Sequence, residues 1–337
     1  PRVRRIQRRS PFHPRMNLSL LSAGGVTSAG LGPAAITAPW PVTATHSHGG
    51  VPVQAGLIEQ KDPSLLRWQK EPRLRRASPI TYFMIEAVEQ ALQGAPHLDR
   101  GRTGVVASFF LGCLVYSVRF YRQITEEGRR FASPVLFPET VFNSPLSHVV
   151  ATLGLGGPVY SQIGDKTCWA SALRTAQCWL ANGDCDHVIV LAAEEFDPHE
   201  VDALHSGGLL RGGLQPCEGA IALLLGPSAN GPAIGAIADG YDFRTRQEGL
   251  EAAERCLAEF SPHTPLLDTA TGWTRTAAAT IGRSIIGPKA TLTEGFTLSA
   301  AADTMRALDI VASGQSPEVI VPVWGLTRQV AAYRVTA

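Results

Sequence analysis

The chain has 337 residues, 45% of them hydrophobic and 18% charged, with a formal net charge of +1. That is enough apolar material for an extensive core, in one large domain or two fused halves, and the near-neutral balance argues against nucleic acid as a partner. No apolar run reaches the roughly 18 residues of a membrane span. The six cysteines, without CxxC or Cys/His spacing, read as reduced thiols of a cytoplasmic protein with no metal site.

Residues 1–15 are rich in Arg and Pro, without hydrophobic period. They read as a basic leader or disordered extension ahead of Met16, and they lack the apolar core of a signal peptide. Residues 16–30 predict a short strand and a small-residue turn, and residues 31–75 a Pro- and His-containing loop. Ile80, Phe83, Met84, Ala87, Val88 and Ala91 recur at helical spacing, so a helix is expected over 79–92. A buried strand follows over 103–110. Phe109, Cys113, Tyr116 and Phe120 then recur at near-helical spacing.

Residues 143–150 predict a helix, before a strand that opens on Gly157-Pro158. A turn at Gly164-Asp165-Lys166 leads into a helix through Ala170-Ser171-Ala172-Leu173. The turn Gly183-Asp184-Cys185-Asp186 follows, and then a strand through Val188-Ile189-Val190-Leu191 that ends at Glu194. The second half repeats the theme. Strands are expected over 233–240 and 318–323, and helices over 249–257 and 297–311.

The segment from Gly157 to Glu194 resembles the nucleophile segment of β-ketoacyl synthases, members of the thiolase-fold family. That segment is a Gly-Pro strand, a sharp turn bearing the catalytic Cys, a long helix, a Gly-Asp-x-Asp turn and a buried strand. The resemblance implies an α/β fold of five layers, α-β-α-β-α, built of two similar halves, expected at 16–225 and 226–337. Aligned without gaps from Gly157-Pro158 or from Gly183-Asp184-Cys185-Asp186, the reactive position falls on Lys166.

Condensing enzymes hold the acyl chain on a thiolate and use two histidines to assist decarboxylation and stabilise the enolate. Lysine is a poor acyl carrier, because an amide does not turn over as a thioester does. The chain has four lysines, so one in this turn is not casual usage. Its possible roles are a bridge to Asp165, Glu194 or an acid of a partner chain, a desolvated general base, or a gate in a tunnel. Cys168, two residues on, is the alternative nucleophile. That shift shortens the following helix and puts Trp169 where the family uses a small residue.

The family's first histidine corresponds to Thr271 or Ala270. The second corresponds to Phe296, in Gly295-Phe296-Thr297-Leu298-Ser299-Ala300. The family lysine upstream falls on Thr291, unless Lys289 substitutes. None of the nine histidines stands at a catalytic position. His148 reads as satisfying a helix end or packing at an interface. Of the family's Gly-rich gate loop, Trp324, Gly325 and Arg328 remain as a stiffer remnant, which suggests a filled pocket.

Loss of the nucleophile, both bases and the gate implies a chain-length-factor-like subunit without catalysis of its own. It would pair with an active ketosynthase and meet acyl carrier protein only indirectly, needing no cofactor. Such pairs make fatty-acid-like products, aromatic polyketides, polyenes and aryl polyenes. Phe109, Cys113, Tyr116 and Phe120 are then candidates for the tunnel end or the dimer core. The alternatives are a self-contained acyltransferase or condensing enzyme using Cys168, and a structural homodimer that docks carrier protein.

Overall fold

The computed structural model describes residues 16–48, 51–59, 62–197, 203–204, 206–208, 214–227, 231–269, 272–287 and 293–337. The expectations placed on residues 1–15, Ala270, Thr271, Lys289 and Thr291 lie outside the described residues.

In chain order the first half contains β1 (Leu18–Thr27), β2 (Gly30–Leu31), α1 (Ala34–Thr37), β3 (Ala44–His48), β4 (Val51–Ala55), α2 (Pro63–Gln69), α3 (Pro79–Gln93) and β5 (Thr103–Phe109). It continues through α4 (Leu114–Arg122), α5 (Ser144–Leu153), β6 (Val159–Ile163), α6 (Cys168–Asn182), β7 (His187–Glu194), β8 (Gln215–Pro216) and β9 (Gly219–Pro227). The second half has β10 (Ala233–Ile237), β11 (Tyr241–Asp242), α7 (Arg246–Leu257), β12 (Leu266–Leu267), α8 (Gly272–Ile281), β13 (Ile285–Ile286) and β14 (Thr293–Glu294). It closes with α9 (Thr297–Ala312), β15 (Glu318–Trp324) and β16 (Gln329–Thr336).

The main strands of each half follow one plan. The first half runs β6-β5-β7-β9-β1 and the second β13-β12-β15-β16-β10. In each set the first two pairings are parallel and the next two antiparallel. The sets meet where β1 pairs β10 at Leu18↔Ile234 and Ser19↔Ala233. Such a repeat gives two similar sheets with helices between and outside them.

Three layers of core fill the spaces. Between the sheets lie α6 and α9, with Trp169, Leu173, Leu298 and Leu308 buried against strands of both halves. Outside the first sheet lie α3 and α5, with Phe83, Val88, Leu146 and Val149 in one cluster. Outside the second sheet lie α7 and α8. The architecture is the five-layered thiolase-like plan of two similar halves.

Local sequence explains these elements. β5 (TGVVASF) is buried along its length, as expected of a parallel strand covered on both faces. α3 starts at Pro79, a residue pre-set for a first helical position. The sequence reading needs correction near the N-terminus. β1 continues through Gly24 and Gly25 instead of turning there, because α3 crosses so closely that a Cβ on Gly24 would lie 2.0 Å from the Ala87 carbonyl oxygen. Residues 31–75 are not all loop: they hold the antiparallel β3–β4 pair and α2, which is capped by Asp62 accepting from the Ser64 N–H. No helix among the described residues is long and apolar enough to cross a membrane.

Candidate functional site

Four segments converge at the turn where the resemblance places a nucleophile. They are the turn after β6, the loop after β5, the start of α9, and the tight turn between β15 and β16. The Gly164 N–H donates to the Phe109 carbonyl at 2.9 Å, joining the first two.

Lys166 is 4% exposed, two residues before α6. Its Nζ lies 2.6 Å from Oε2 of Glu294, which is 1% exposed. The other oxygen of Glu294 accepts the Phe296 N–H at 2.7 Å. Asp303 on α9 also feels the ammonium. Burial pushes its carboxyl up, and Arg306 and Lys166 pull it back. An ammonium at a helix N-terminus faces the positive end of the dipole, and Glu294 supplies the compensating charge. The expected bridge to Asp165 or Glu194 is therefore corrected: within this chain Lys166 pairs with Glu294, brought in from the second half.

Asp165 has a different task. Its Oδ1 accepts the Lys166 N–H at 2.7 Å, and its Oδ2 accepts both the hydroxyl and the N–H of Thr327. A Cβ on Gly325 would lie 2.4 Å from that Oδ2, so only glycine allows the β15–β16 turn to sit so close. Trp324 is 1% exposed. Its ring stacks on Trp273 at 5.2 Å, and its Nε1–H donates to Thr274 at 3.1 Å. Arg328, at φ 68°, donates to the Arg244 carbonyl at 2.7 Å. The turn where the resemblance places the gate loop is thus a pinned hairpin turn between β15 and β16.

Cys168 begins α6, with its Sγ 3.6 Å from the Gly164 carbonyl. A helix start lowers a thiol pKa, but desolvation outweighs it here. Burial pushes Cys168 up to about 12, and the charges of Glu194 and Asp165 add to the rise. The thiol stays protonated at neutral pH.

The stripe Phe109, Cys113, Tyr116 and Phe120 is broken, because the chain is a strand at Phe109 and a helix only from Leu114. Phe109 and Cys113 are buried core residues. The Phe109 ring lies 6.4 Å from Phe142, and the Cys113 Sγ lies 3.5 Å from the Val141 carbonyl. Tyr116 and Phe120 remain half-exposed on α4, the first donating to the Ala77 carbonyl at 3.2 Å and the second packed on Phe137 at 5.5 Å. His148 on α5 reaches Glu139, just before the helix, at 3.0 Å.

Two cavities lie beside this region. One, of about 590 Å³, is lined by Thr167, Ser171, Arg174, Cys178, Tyr241 and Gln329. The other, of about 500 Å³, runs along β6 between Phe142, Leu146, Val159, Tyr160 and Ile163. Neither is lined by Lys166, Glu294 or Phe296. Among the described residues no group of three or more His, Cys, Asp or Glu is placed to hold a metal ion.

Three buried glutamates stand at the strand ends: Glu194, where the sequence ends its strand, and Glu195 and Glu218, which the sequence reading does not single out. Glu194 accepts the N–H groups of Phe110, Leu111 and Gly112 and the hydroxyl of Thr297. Glu195 accepts Val115 and Ile80, and Glu218 accepts Ile58 and Phe196. Burial pushes them up to about 7, 8 and 7 against the pull of these seven amides. The sequence reading does not single out Glu294 either. Its one sequence signal is an acid directly before Gly295-Phe296, in a chain with little charge to spare.

A family model described as "Beta-ketoacyl synthase, N-terminal domain" matches residues 41–231. A search of curated proteins finds no significant match. Among solved structures the chain is similar to "The ishigamide ketosynthase/chain length factor", at TM-score 0.78 and 17% identity over 95% of this chain and 99% of that one. It is similar to a β-ketoacyl synthase from Burkholderia phymatum STM815, at TM-score 0.73 and 15% identity over 95% and 99%. It is also similar to a chain of a type II PKS acyl-carrier protein in complex with its ketosynthase bound to the hexaketide, at TM-score 0.69 and 16% identity over 96% and 99%.

Proposed function

The chain belongs to the β-ketoacyl synthase family, and from that premise we propose that it is a chain-length-factor-like subunit, without condensing activity of its own, of a cytoplasmic ketosynthase heterodimer. The single observation that carries this reading is the buried Lys166–Glu294 pair in the turn where a condensing enzyme keeps its thiolate. An ammonium held 2.6 Å from a carboxylate is neither nucleophile nor base. The nearby thiol of Cys168 is kept protonated by burial.

A partner has a place to bind. β6 ends the strand path, with one edge unpaired among the described residues. Val159, Tyr160 and Ile163 on it are 44%, 53% and 54% exposed. Open apolar edges of this kind are association sites. Tyr121, Phe131, Val135, Phe137 and Val141 add further exposed apolar surface in α4 and the segment that follows. On this reading the active ketosynthase subunit covers β6, and carrier protein delivers substrate to that partner. Tyr116 and Phe120 limit chain growth at the interface, because a packed wall does not admit extra methylenes cheaply. Fatty-acid-like, polyene or aryl polyene products suit such a wall.

The test is co-expression with neighbouring ketosynthase genes. The expected result is a stable pair that makes product, and a lone chain that neither takes up acyl groups nor decarboxylates malonyl carrier protein. A thioester on Cys168 of the lone chain, seen by mass spectrometry, favours a self-contained enzyme instead. A symmetric dimer that ignores every ketosynthase favours a structural role.

A further inference from the structure

Phe296 stands at φ 52° and ψ −110°, and with Arg328 it makes up the non-glycine residues of positive φ among those described. This is glycine territory, and a bulky residue held there carries strain on the order of 1–3 kcal/mol. Such a conformation persists only where the surroundings impose it. Glu294 holds the Phe296 N–H from one side, and Lys166 holds Glu294. The Ser299 hydroxyl accepts the Gly295 N–H at 3.0 Å.

The ring so placed lies 5.1 Å from the ring of Phe110, at the end of β5. One oxygen, Oε1 of Glu194, draws the two segments together. It accepts the Phe110 N–H at 2.8 Å and the hydroxyl of Thr297, the residue after Phe296, at 2.6 Å. The ring pair therefore joins the vestigial turn to the loop that opens toward α4. The wall behind it is apolar: a Cβ on Gly295 would meet the side chains of Trp40 and Leu298 at 2.8 Å each.

We propose that Phe110 and Phe296 form a steric plug that keeps this chain's own acyl cavity shut, and that removing both rings opens a site for a linear alkyl or polyene acyl chain. The inference rests on the reading that the chain does no condensation of its own, and it adds which residues close the site. An apolar hole of roughly 150 Å³ already takes up an apolar guest, and two phenyl rings leave more.

The test uses the whole chain and a fluorescent polyene fatty acid, cis-parinaric acid. Four proteins are titrated: wild type, Phe296→Gly, Phe110→Ala/Phe296→Gly, and Phe260→Ala as a one-ring hole, the counterpart of the single variant, in the outer layer of the second half. Glycine is chosen at position 296 because it suits the backbone there. The double variant should bind at least tenfold more tightly than wild type and Phe260→Ala. Should it not fold, the single Phe296→Gly variant is expected to bind more tightly than both. Equal binding by wild type, equal gain by Phe260→Ala, or no gain in a folded plug variant overturns the plug. Acylation of Cys168 in the wild type would overturn the non-catalytic reading instead, so the two failures are told apart.

Discussion

At the scale of single residues the four converging segments meet at a buried charge pair, Lys166 and Glu294. Breaking a buried pair by removing one partner typically costs about 3–5 kcal/mol, because the other charge is left desolvated and unpaired. Lys166→Met should therefore lower stability by about that much. Lys166→Met combined with Glu294→Gln should recover most of it, since glutamine still accepts the Phe296 N–H without a charge. Urea unfolding of the four-member cycle measures the coupling, and additive losses would mean that the pair is not one unit. Phe296 offers a second test. Glycine is ordinarily less favourable than alanine by about 0.5–1 kcal/mol. At φ 52° the order should reverse, with Phe296→Gly unfolding at higher urea concentration than Phe296→Ala. The ordinary order would show that the backbone relaxes once the ring is gone.

At the scale of elements, β6 presents the unpaired edge and the exposed apolar residues on which the proposed pairing rests. Val159 and Ile163 are half-exposed, so lysine at either should change monomer stability by no more than about 0.5 kcal/mol. On a covered edge the same charge disrupts pairing. Val159→Lys and Ile163→Lys should abolish co-purification with a ketosynthase while circular dichroism and melting stay unchanged, and a pair that survives both would move the interface elsewhere. Helices and strands with strong local period were legible in the sequence: α3, α6 and α9 start or end within three residues of expectation, and β5, β7 and β15 lie where continuous apolar runs stand. What was not legible is what comes from afar. The N-caps of α3 and α4, Ser78 and Cys113, make no side-chain cap bond, and both helix starts are held by Glu195 from the end of β7. The partner of Lys166 stands 128 residues away. The aromatic stripe misled because its spacing straddles a strand and a helix, and spacing cannot tell which residues sit before the change of period.

At the scale of the whole molecule, Glu194, Glu195 and Glu218 gather loops from across the first half, and their ionisation couples the fold to pH. Each is an acid whose folded pKa is raised by burial, to about 7, 8 and 7, above an ordinary value of 4.5. Between pH 4.5 and those values the folded chain keeps protons that the unfolded chain releases. Stability from these groups is thus full below about 4.5 and is lost as pH rises through the folded pKa values. Glu139 acts in the opposite sense. Burial raises its pKa, but the bonds from His148 and Ser144 outweigh that and hold it below the usual carboxylate range, so its contribution is lost only in acid. Glu218 raises the pKa of Glu195, as does Asp197, so replacing Glu218 should also alter the acidity of Glu195. A tenfold change in the acidity of one group corresponds to about 1.4 kcal/mol, so even a partial expression of three such groups gives a measurable slope. Urea unfolding should show the free energy falling from pH 5.5 to pH 8.5, the reverse of ordinary acid sensitivity. Glu195→Gln and Glu218→Gln should flatten that slope. Stability that rises with pH across the window would mean that the seven amide donors outweigh burial, and that the strand ends carry their charges in the folded chain.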